Sequence, residues 1–286
     1  MKHWLIGLLC ALVAVPALAA RPSEVLKRAE ASMLVSGSIA ITPNGHVSGY
    51  TLDHPEELPP GVVRVVKENL PNWTFQRNDR RNGPVKLAMT MRIAAKRLDA
   101  RHYSIRIAAA HFGQPDYVPG LTVSYKTHPV PRYPQLALDS RVAGTVYALL
   151  RIGRDGRVLD SAAEQVNLTS YGSDRDMKRF RGVLAKAALD AVRQWTFNTP
   201  TSGAHVADPY WVARVPIAFK LRKFGQPKTV EHYGQWQVYI PGPREPVPWV
   251  HDPKLLAGAA DAVADGRIQQ VGQGPQLTSA LNASGG

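Results

Sequence analysis

The stretch that decides the fold is Val142-Ala-Gly-Thr-Val-Tyr-Ala, continued by the turn Arg154-Asp-Gly156 and by Gln194-Trp-Thr-Phe197. An earlier part of the chain repeats this pattern in the same order, as Val35-Ser-Gly-Ser-Ile-Ala-Ile, Pro43-Asn-Gly45 and Asn72-Trp-Thr-Phe75. Self-similarity over this length is typical of a chain that uses one supersecondary unit twice. We therefore predict two related units.

Each unit is predicted to contain a β-hairpin. In the second unit, apolar and polar residues alternate from Gly144 to Ile152, which is typical of a half-buried strand. Leu149 interrupts the polar face, so that face is expected to be partly covered as well. Asn44-Gly45 and Asp155-Gly156 supply the positive φ of a hairpin turn, and a return strand follows each turn.

Helices are predicted on both sides of each hairpin. A short helix precedes it, over residues 24–31 with Ser23 as its cap and over residues 134–140. A second helix follows it and ends at Trp73 or Trp195, both of which we expect in the core. Its apolar stripe consists of Val62, Val66, Asn69 and Leu70 in the first unit and of Phe180, Val183, Leu184, Ala187 and Ala191 in the second.

Alternating strands close the units, over residues 87–93 and 215–221, and further alternation follows at residues 103–107 and 236–240. Pro216 cannot donate a backbone hydrogen bond, so one side of its strand is predicted to be an edge, to which a peptide from another protein could add. The predicted fold class is α+β, with two repeated helix–hairpin–helix–strand units and small antiparallel sheets.

The first residues are typical of an export signal. Lys2 and His3 precede an apolar run at residues 5–15, and Pro16-Ala-Leu-Ala19 ends in a small-x-small cleavage pattern. The expected mature chain is periplasmic and has no cysteine, since Cys10 is the only one. The alternative is a short anchor that is retained in the inner membrane, with the rest of the chain on the periplasmic side.

The predicted domains follow from these patterns. Residues 1–19 form the signal peptide, residues 20–112 the first unit, residues 113–128 a linker and residues 129–240 the second unit. Pro, Gly and Ala dominate the tail at residues 241–286. One short helix is predicted there, starting at Asp252-Pro253 and stopped by Gly266, and the last twenty residues are expected to be disordered.

Positive charge is concentrated in the first unit. The chain has 35 Lys and Arg against 22 Asp and Glu, and residues 64–106 carry eleven basic residues against three acidic ones. The pattern is consistent with a solvated basic face or with attraction to anionic lipid, cell-wall polymer or an acidic partner. Nucleic acid is not the expected partner, because no stacking motif interleaves the charges. The residues chosen for this electrostatic face are Arg77, Arg80, Arg81, Arg92, Lys96 and Arg97.

The second unit resembles the C-terminal domain of TonB-family proteins. The motifs that carry the resemblance stand in order between residues 129 and 221: Tyr133-Pro134, Gly144-Thr-Val, Ile152-Gly-Arg-Asp-Gly156-Arg-Val158, Ala191-Val-Arg-Gln-Trp195-Thr-Phe197 and Val215-Pro-Ile-Ala-Phe-Lys-Leu221. The first unit is similar to a diverged copy, with the turn and Trp73-Thr-Phe75 but without Tyr-Pro.

The resemblance implies a module that binds the periplasmic face of an outer-membrane transporter by pairing a strand with the transporter's extended peptide. Residues 212–221 would form the pairing strand, and Tyr133 with Pro134 would shape the neighbouring surface. On this basis the partner-binding residues are Tyr133, Pro134, Val212, Arg214, Pro216, Ala218 and Lys220. Unlike family energy transducers, the chain has no long Pro-rich spacer before the first unit.

Nothing in the sequence points to an enzyme, a metal or a cofactor. It contains no His-Glu-x-x-His helix, no Gly-x-Ser-x-Gly elbow and no phosphate-binding glycine loop. Asp53-His54 and His232 are the least implausible reactive groups, and a turn or surface role is favoured for each.

The leading hypothesis is a periplasmic interaction protein of a Gram-negative cell envelope, which binds an outer-membrane transporter or another envelope protein by β-strand addition. One alternative is an anchored TonB-type energy transducer for transmembrane transport. The other is a basic protein that binds cell wall or a membrane surface. The sequence leaves open whether the units pack together or exchange strands in a homodimer, and whether residues 229–240 cover the binding edge.

Overall fold

The computed structural model describes residues 30–77, 82–99, 102–113, 119–221, 233–252, 255, 260–272 and 274–282. Within these residues the protein is α+β and dominated by antiparallel strands. None of the helices in this part of the chain is long and apolar enough to cross a membrane. The predicted signal peptide, the Ser23 cap, Arg80, Arg81 and His232 lie outside the described residues.

The first sheet is built from the N-terminal part of the chain. A long strand β1 pairs on one side with β2 and on the other with β4, and β4 pairs in turn with β5. The helix α1 lies between β2 and β4 in sequence, with a 3-10 turn on either side. The elements are β1 Glu30–Ile41, β2 Val47–Leu52, a 3-10 helix Pro55–Glu57, α1 Pro60–Asn69, a 3-10 helix Leu70–Asn72, β3 Phe75–Gln76, β4 Val85–Arg97 and β5 Tyr103–Gly113.

The second sheet has β7 at its centre, between β8 and β10. Ser173 caps the long helix α3, because its hydroxyl accepts a hydrogen bond from the amide of Asp176 at 3.2 Å. The elements are β6 Ser124–Thr127, α2 Gln135–Asp139, β7 Gly144–Gly153, β8 Val158–Leu168, α3 Asp174–Val192, β9 Thr196–Asn198 and β10 Tyr210–Phe219. The predicted short helix at residues 134–140 and the predicted hairpin are both present.

The two sheets share one strand order. β4–β1–β2 in the first corresponds to β10–β7–β8 in the second, and each hairpin is followed by a helix and a short strand. Each helix is followed, three or four residues after its last residue, by a buried tryptophan whose indole nitrogen donates to a backbone carbonyl, from Trp73 to Leu281 at 3.1 Å and from Trp195 to Pro129 at 2.9 Å. The two carbonyl partners differ in sequence position: Leu281 comes after both sheets, whereas Pro129 comes shortly before β7 of the second sheet.

Each sheet has its own core between its helix and one sheet face. The predicted core positions of α1 and β4 are buried, among them Val62, Val66, Met89 and Met91. In the second core the buried face of α3 is rotated from the predicted stripe: Met177, Leu184, Ala188 and Val192 are fully buried, while Phe180, Val183, Ala187 and Ala191 are only partly so. The predicted stripe is therefore wrong by part of a turn, because helical spacing alone fixes the face only approximately.

The C-terminal segment, residues 233–282, joins the sheets. Its strands are β11 Gln237–Tyr239, which pairs with β1, β12 Gln269–Gln270, which pairs with β10, and β13 Gln276–Leu277, which pairs with β3. Between them, Ile240 and Arg244 form single bridges to the outer edge of β8. For the described residues 267–272 and 274–282 the prediction of disorder is therefore wrong, since their backbone satisfies strand edges that would otherwise need another partner.

Two further expectations are corrected. Glu30 and Ala31, predicted to end a helix, belong to β1, where pairing with both β4 and β11 outweighs local helix preference. The predicted linker at residues 113–128 contains β6, which pairs with β9. Of the helix predicted to start at Asp252-Pro253, residues 253, 254 and 256–259 lie outside the described residues, and its later part contains the 3-10 helix Ala260–Ala262.

Candidate partner-binding surface

An extended, proline-rich segment, Pro129-Val-Pro-Arg-Tyr-Pro134, crosses the surface of the second sheet's core. Its prolines, and the restriction that each places on the residue before it, favour this conformation. The hydroxyl of Tyr133 donates to the carbonyl of Val142 at 2.7 Å, and its ring packs edge-on against Phe219 at 5.5 Å between centroids. Burial raises the pKa of Tyr133. Tyr133 is thus anchored within the chain, while Val130 is 89% exposed.

A groove of about 490 Å³ separates this segment from α3, and we call it the helix groove. Its floor on the helix side contains Val183, Ala187 and Ala191, the apolar residues that the helical spacing assigned to the core. The apolar stripe of α3 is therefore wider than the part of the helix that packs on the sheet, and the remaining apolar residues face the helix groove. Predicting this from sequence would have required knowing where the Pro129–Pro134 segment runs.

A second groove of about 290 Å³ lies on the other side of the same segment, against the end of β10, and we call it the strand groove. It is lined by Ala218, Phe219 and Lys220 from the strand and by Val130, Pro131 and Tyr133 from the segment. Val130, Pro131 and Tyr133 line both grooves. The structure thus brings together four of the predicted partner-binding residues: Tyr133, Pro134, Ala218 and Lys220.

Charged side chains border both grooves. In the helix groove Lys186 contacts Asp190 at 2.6 Å, and the hydrogen bond from Lys186 lowers the pKa of the Asp190 carboxyl. At the strand groove Lys220 contacts Asp265 of the C-terminal segment at 2.8 Å. These exposed ion pairs contribute little to stability. Each of the charged side chains can therefore exchange its present partner for a charged group of a ligand.

The other predicted partner-binding residues, Val212, Arg214 and Pro216, are buried inside the chain. Val212 packs with Leu149 against Val247 and Val271 of the C-terminal segment, which covers the face that Leu149 marked. Arg214 is fully buried and forms two hydrogen bonds with Glu164, at 2.6 and 3.0 Å. These three side chains are occupied by internal contacts in this state.

Among the described residues, the outer edge of β10 is paired over a short length only. The carbonyl of Val212 accepts from the amide of Val271 at 2.9 Å, so the backbone groups of every second residue, Arg214, Pro216 and Ala218, face outwards. Pairing with β12 covers Ala213 and Arg214 and stops before Pro216, which has no N–H to continue it. The strand that covers this edge is therefore β12, residues 269–270. Residues 229–240, which the sequence left as a candidate cover, contribute residues 237–239 to pairing with β1.

The four described residues of the predicted electrostatic face, Arg77, Arg92, Lys96 and Arg97, do not form one patch. Arg92 points between the two sheets, with a side chain only 11% exposed, and donates to the carbonyl of Asp261 at 2.6 Å and to the hydroxyl of Tyr147 at 3.1 Å. Arg77 precedes β4, whereas Lys96 and Arg97 lie at its far end. Over a strand of this length the two sites are about 40 Å apart.

The histidine singled out by sequence lies on the surface. His54 Nδ1 is 3.5 Å from Glu56 and 3.9 Å from Glu57, and all three side chains are exposed. Asp53 accepts a hydrogen bond from Ser36 at 2.6 Å. Exposed groups of this kind are usually ordinary surface ion pairs.

Comparison of the chain with protein-family models, with curated proteins and with solved structures finds no match.

Proposed function

We propose that this protein is a non-enzymatic binding module of the cell envelope, and that it takes an extended segment of another envelope protein into the strand groove. The observation that carries the proposal is the convergence of an exposed Val130, a groove lined by Pro131 and Phe219, and an outward-facing strand backbone at Ala218. An outer-membrane transporter is the partner that the TonB resemblance favours.

Backbone geometry supports strand addition at the end of β10. Beyond Arg214 the outward groups are the carbonyl of Pro216 and both the amide and the carbonyl of Ala218. A peptide in register there would gain main-chain hydrogen bonds, while alternate side chains enter the strand groove. Pro216 limits the built-in partner β12 to the first part of the edge, which leaves the second part for a ligand.

The helix groove extends the same surface. An apolar floor between charged rims is the usual composition of a peptide-binding site, with an apolar anchor at its centre and polar contacts at its margin. A ligand in the strand groove could continue around Val130 into the helix groove, because the two share Pro131 and Tyr133.

We further propose that the two sheets are copies of one TonB-like unit. The shared strand order and the equivalent tryptophan hydrogen bonds support this. The Tyr-Pro segment and the two grooves beside it belong to the second copy, so binding is assigned to that copy. The proposed location, after cleavage of residues 1–19, is the periplasm.

Photo-crosslinking tests the proposed surface. A photoreactive residue in place of Val130 should give a defined crosslinked product in envelope fractions, and Val130→Asp should abolish pull-down of the same protein. A strand-forming peptide from that partner should then bind the wild-type chain at least about tenfold more tightly than it binds the Val130→Asp variant, since the variant lacks an apolar anchor.

Val238 provides a matched control, because it is an exposed valine, 51% accessible, on the first sheet. Val238→Asp should leave crosslinking and peptide binding unchanged. Equal loss in both variants, or crosslinking at Val238 but not at Val130, contradicts the proposal. Products that contain only a second copy of this chain would assign the surface to a homodimer instead.

A further inference from the structure

The hairpin between β4 and β5 ends in a tip that carries two large exposed apolar side chains. Leu98 is 65% exposed and Tyr103 is 60% exposed. The strands continue past the core: Ala94 is buried, but Lys96 and the three residues after it are exposed. From Ala94 to Leu98 the strand advances about 14 Å, so the tip stands away from the core.

The two strands are still held together at the last described residues before the tip's end, residues 97–99 and 102–103. The amide of Leu98 donates to the carbonyl of His102 at 3.0 Å, and Arg97 and Tyr103 are directly opposite each other in the ladder. Leu98 and Tyr103 therefore emerge on opposite faces of the same end. A surface that meets the hairpin end-on would contact both.

Positive charge surrounds the tip. Lys96 and Arg97 are exposed, and Arg106 lies further down β5, where it contacts Glu30 at 2.7 Å. The one described acidic side chain of the turn, Asp99, accepts from the amide of His102 at 2.9 Å and contacts the imidazole of the same residue at 2.7 Å. Its side chain is still 58% exposed, but the two exposed cations Lys96 and Arg97 outnumber it.

We propose that this tip docks on anionic lipid, with Leu98 and Tyr103 entering the headgroup region and Lys96 and Arg97 contacting lipid phosphates. A charged polymer would explain the basic residues but offers no apolar phase for the other two. At a membrane interface a leucine gains by burial, and a tyrosine places its ring in the apolar region with its hydroxyl at the headgroups. The proposal is independent of peptide binding at the strand groove, which lies on the other sheet.

Vesicle flotation with the full chain tests the proposal. Binding is expected to vesicles of phosphatidylglycerol and phosphatidylcholine in equal parts, and only weakly to phosphatidylcholine alone. Leu98→Ser with Tyr103→Ser should lower the partition coefficient about tenfold. Removal of charge by Lys96→Gln and Arg97→Gln should lower it about fivefold for each residue. Tyr103→Trp should add a blue-shifted component to the fluorescence when anionic vesicles are present.

Leu159→Ser is the control, since Leu159 is 54% exposed on β8 of the second sheet, and it should bind as the wild type does. The proposal is overturned if the wild type does not bind anionic vesicles, if the Leu98 and Tyr103 double variant binds undiminished, or if the Tyr103→Trp variant shows no blue shift. Equal binding to dextran sulfate and to vesicles, insensitive to Leu98, would assign the charge to a polymer partner and also overturn it.

Discussion

The carbonyl oxygen of Phe197 occupies the place that a side chain on Gly156 would need, since a Cβ atom there would lie well inside van der Waals contact with it. Gly156 also has φ of 77°, and its own carbonyl accepts from the amide of Phe197 at 2.8 Å. Gly156→Ala should therefore destabilise the protein by at least about 2 kcal/mol in urea unfolding, through both strain and displacement of β9.

Gly182 is the control for this substitution. It lies on the exposed side of α3, and nothing stands within 4 Å of where its Cβ would be. Gly182→Ala should stabilise the protein by about 0.5–1 kcal/mol, because alanine loses less backbone entropy in a helix. If the two substitutions had the same sign, the packing argument at Gly156 would be wrong.

Hairpins, closing strands and the tryptophan cores could be predicted from sequence, because each depends on short-range periodicity or on turn chemistry. The Asp-Gly pair, for example, favours a tight turn in which the glycine has positive φ, as Gly156 does. The position of Ala218 and Lys220 beside Tyr133 also follows from the resemblance. Such features need no knowledge of distant segments.

What sequence could not provide is the partner of each strand edge. Gln269–Gln270 and Gln276–Leu277 are too short and too polar to indicate strands, and they are fixed by edges far away in sequence. The prediction of a solvated face for Arg92 is wrong for the same reason, because its partner Asp261 lies 169 residues later. A contact between residues that are far apart in sequence produces no periodic pattern around either residue.

Asp261 is the centre of the polar contact between the sheets. Its carboxylate accepts from Asn167 at 2.9 Å and from the hydroxyl of Tyr239, whose pKa is raised by burial, and it lies 3.6 Å from Arg92. Asp261→Ala leaves the donors of Asn167 and Tyr239 buried without this acceptor and removes the negative charge beside Arg92, so we expect a loss of about 3 kcal/mol or more in urea unfolding.

Asp190→Ala is the comparison, since Asp190 pairs with Lys186 and Arg193 on the exposed side of α3. That variant should unfold at nearly the wild-type urea concentration. A small effect at Asp261 as well would mean that the two sheets do not depend on this contact.

His111 on β5 is expected to make stability depend on pH. Desolvation, with a smaller effect of the nearby Arg214 charge, lowers its pKa from 6.5 to about 4. As pH falls below 6.5 the unfolded chain takes up a proton that the folded chain refuses until about pH 4, so stability present above pH 6.5 is lost across this window. The loss attributable to His111 is at most about 3 kcal/mol.

His111→Gln should therefore flatten the difference between urea midpoints measured at about pH 4.5 and about pH 7.5. The exposed His46 serves as the control, and His46→Gln should keep the wild-type difference. Because Arg214 is itself paired with Glu164, the effect of desolvation should dominate. An undiminished pH dependence in His111→Gln would assign it to other groups.

Asn282 acts as a one-residue strand partner for the outer edge of β5. Its Oδ1 accepts from the amide of Ile107 at 2.8 Å, and its Nδ2 donates to the carbonyl of the same residue at 2.9 Å. Asn282→Ala removes both bonds and should cost about 1–2 kcal/mol in urea unfolding, with faster hydrogen exchange at the Ile107 amide. Asn198→Ala, which loses only exposed contacts to Ser124 and Tyr125, should leave that amide protected. If exchange at Ile107 is already fast in the wild type, the end of the C-terminal segment does not close this edge, and β5 would join the end of β10 as a site for strand addition.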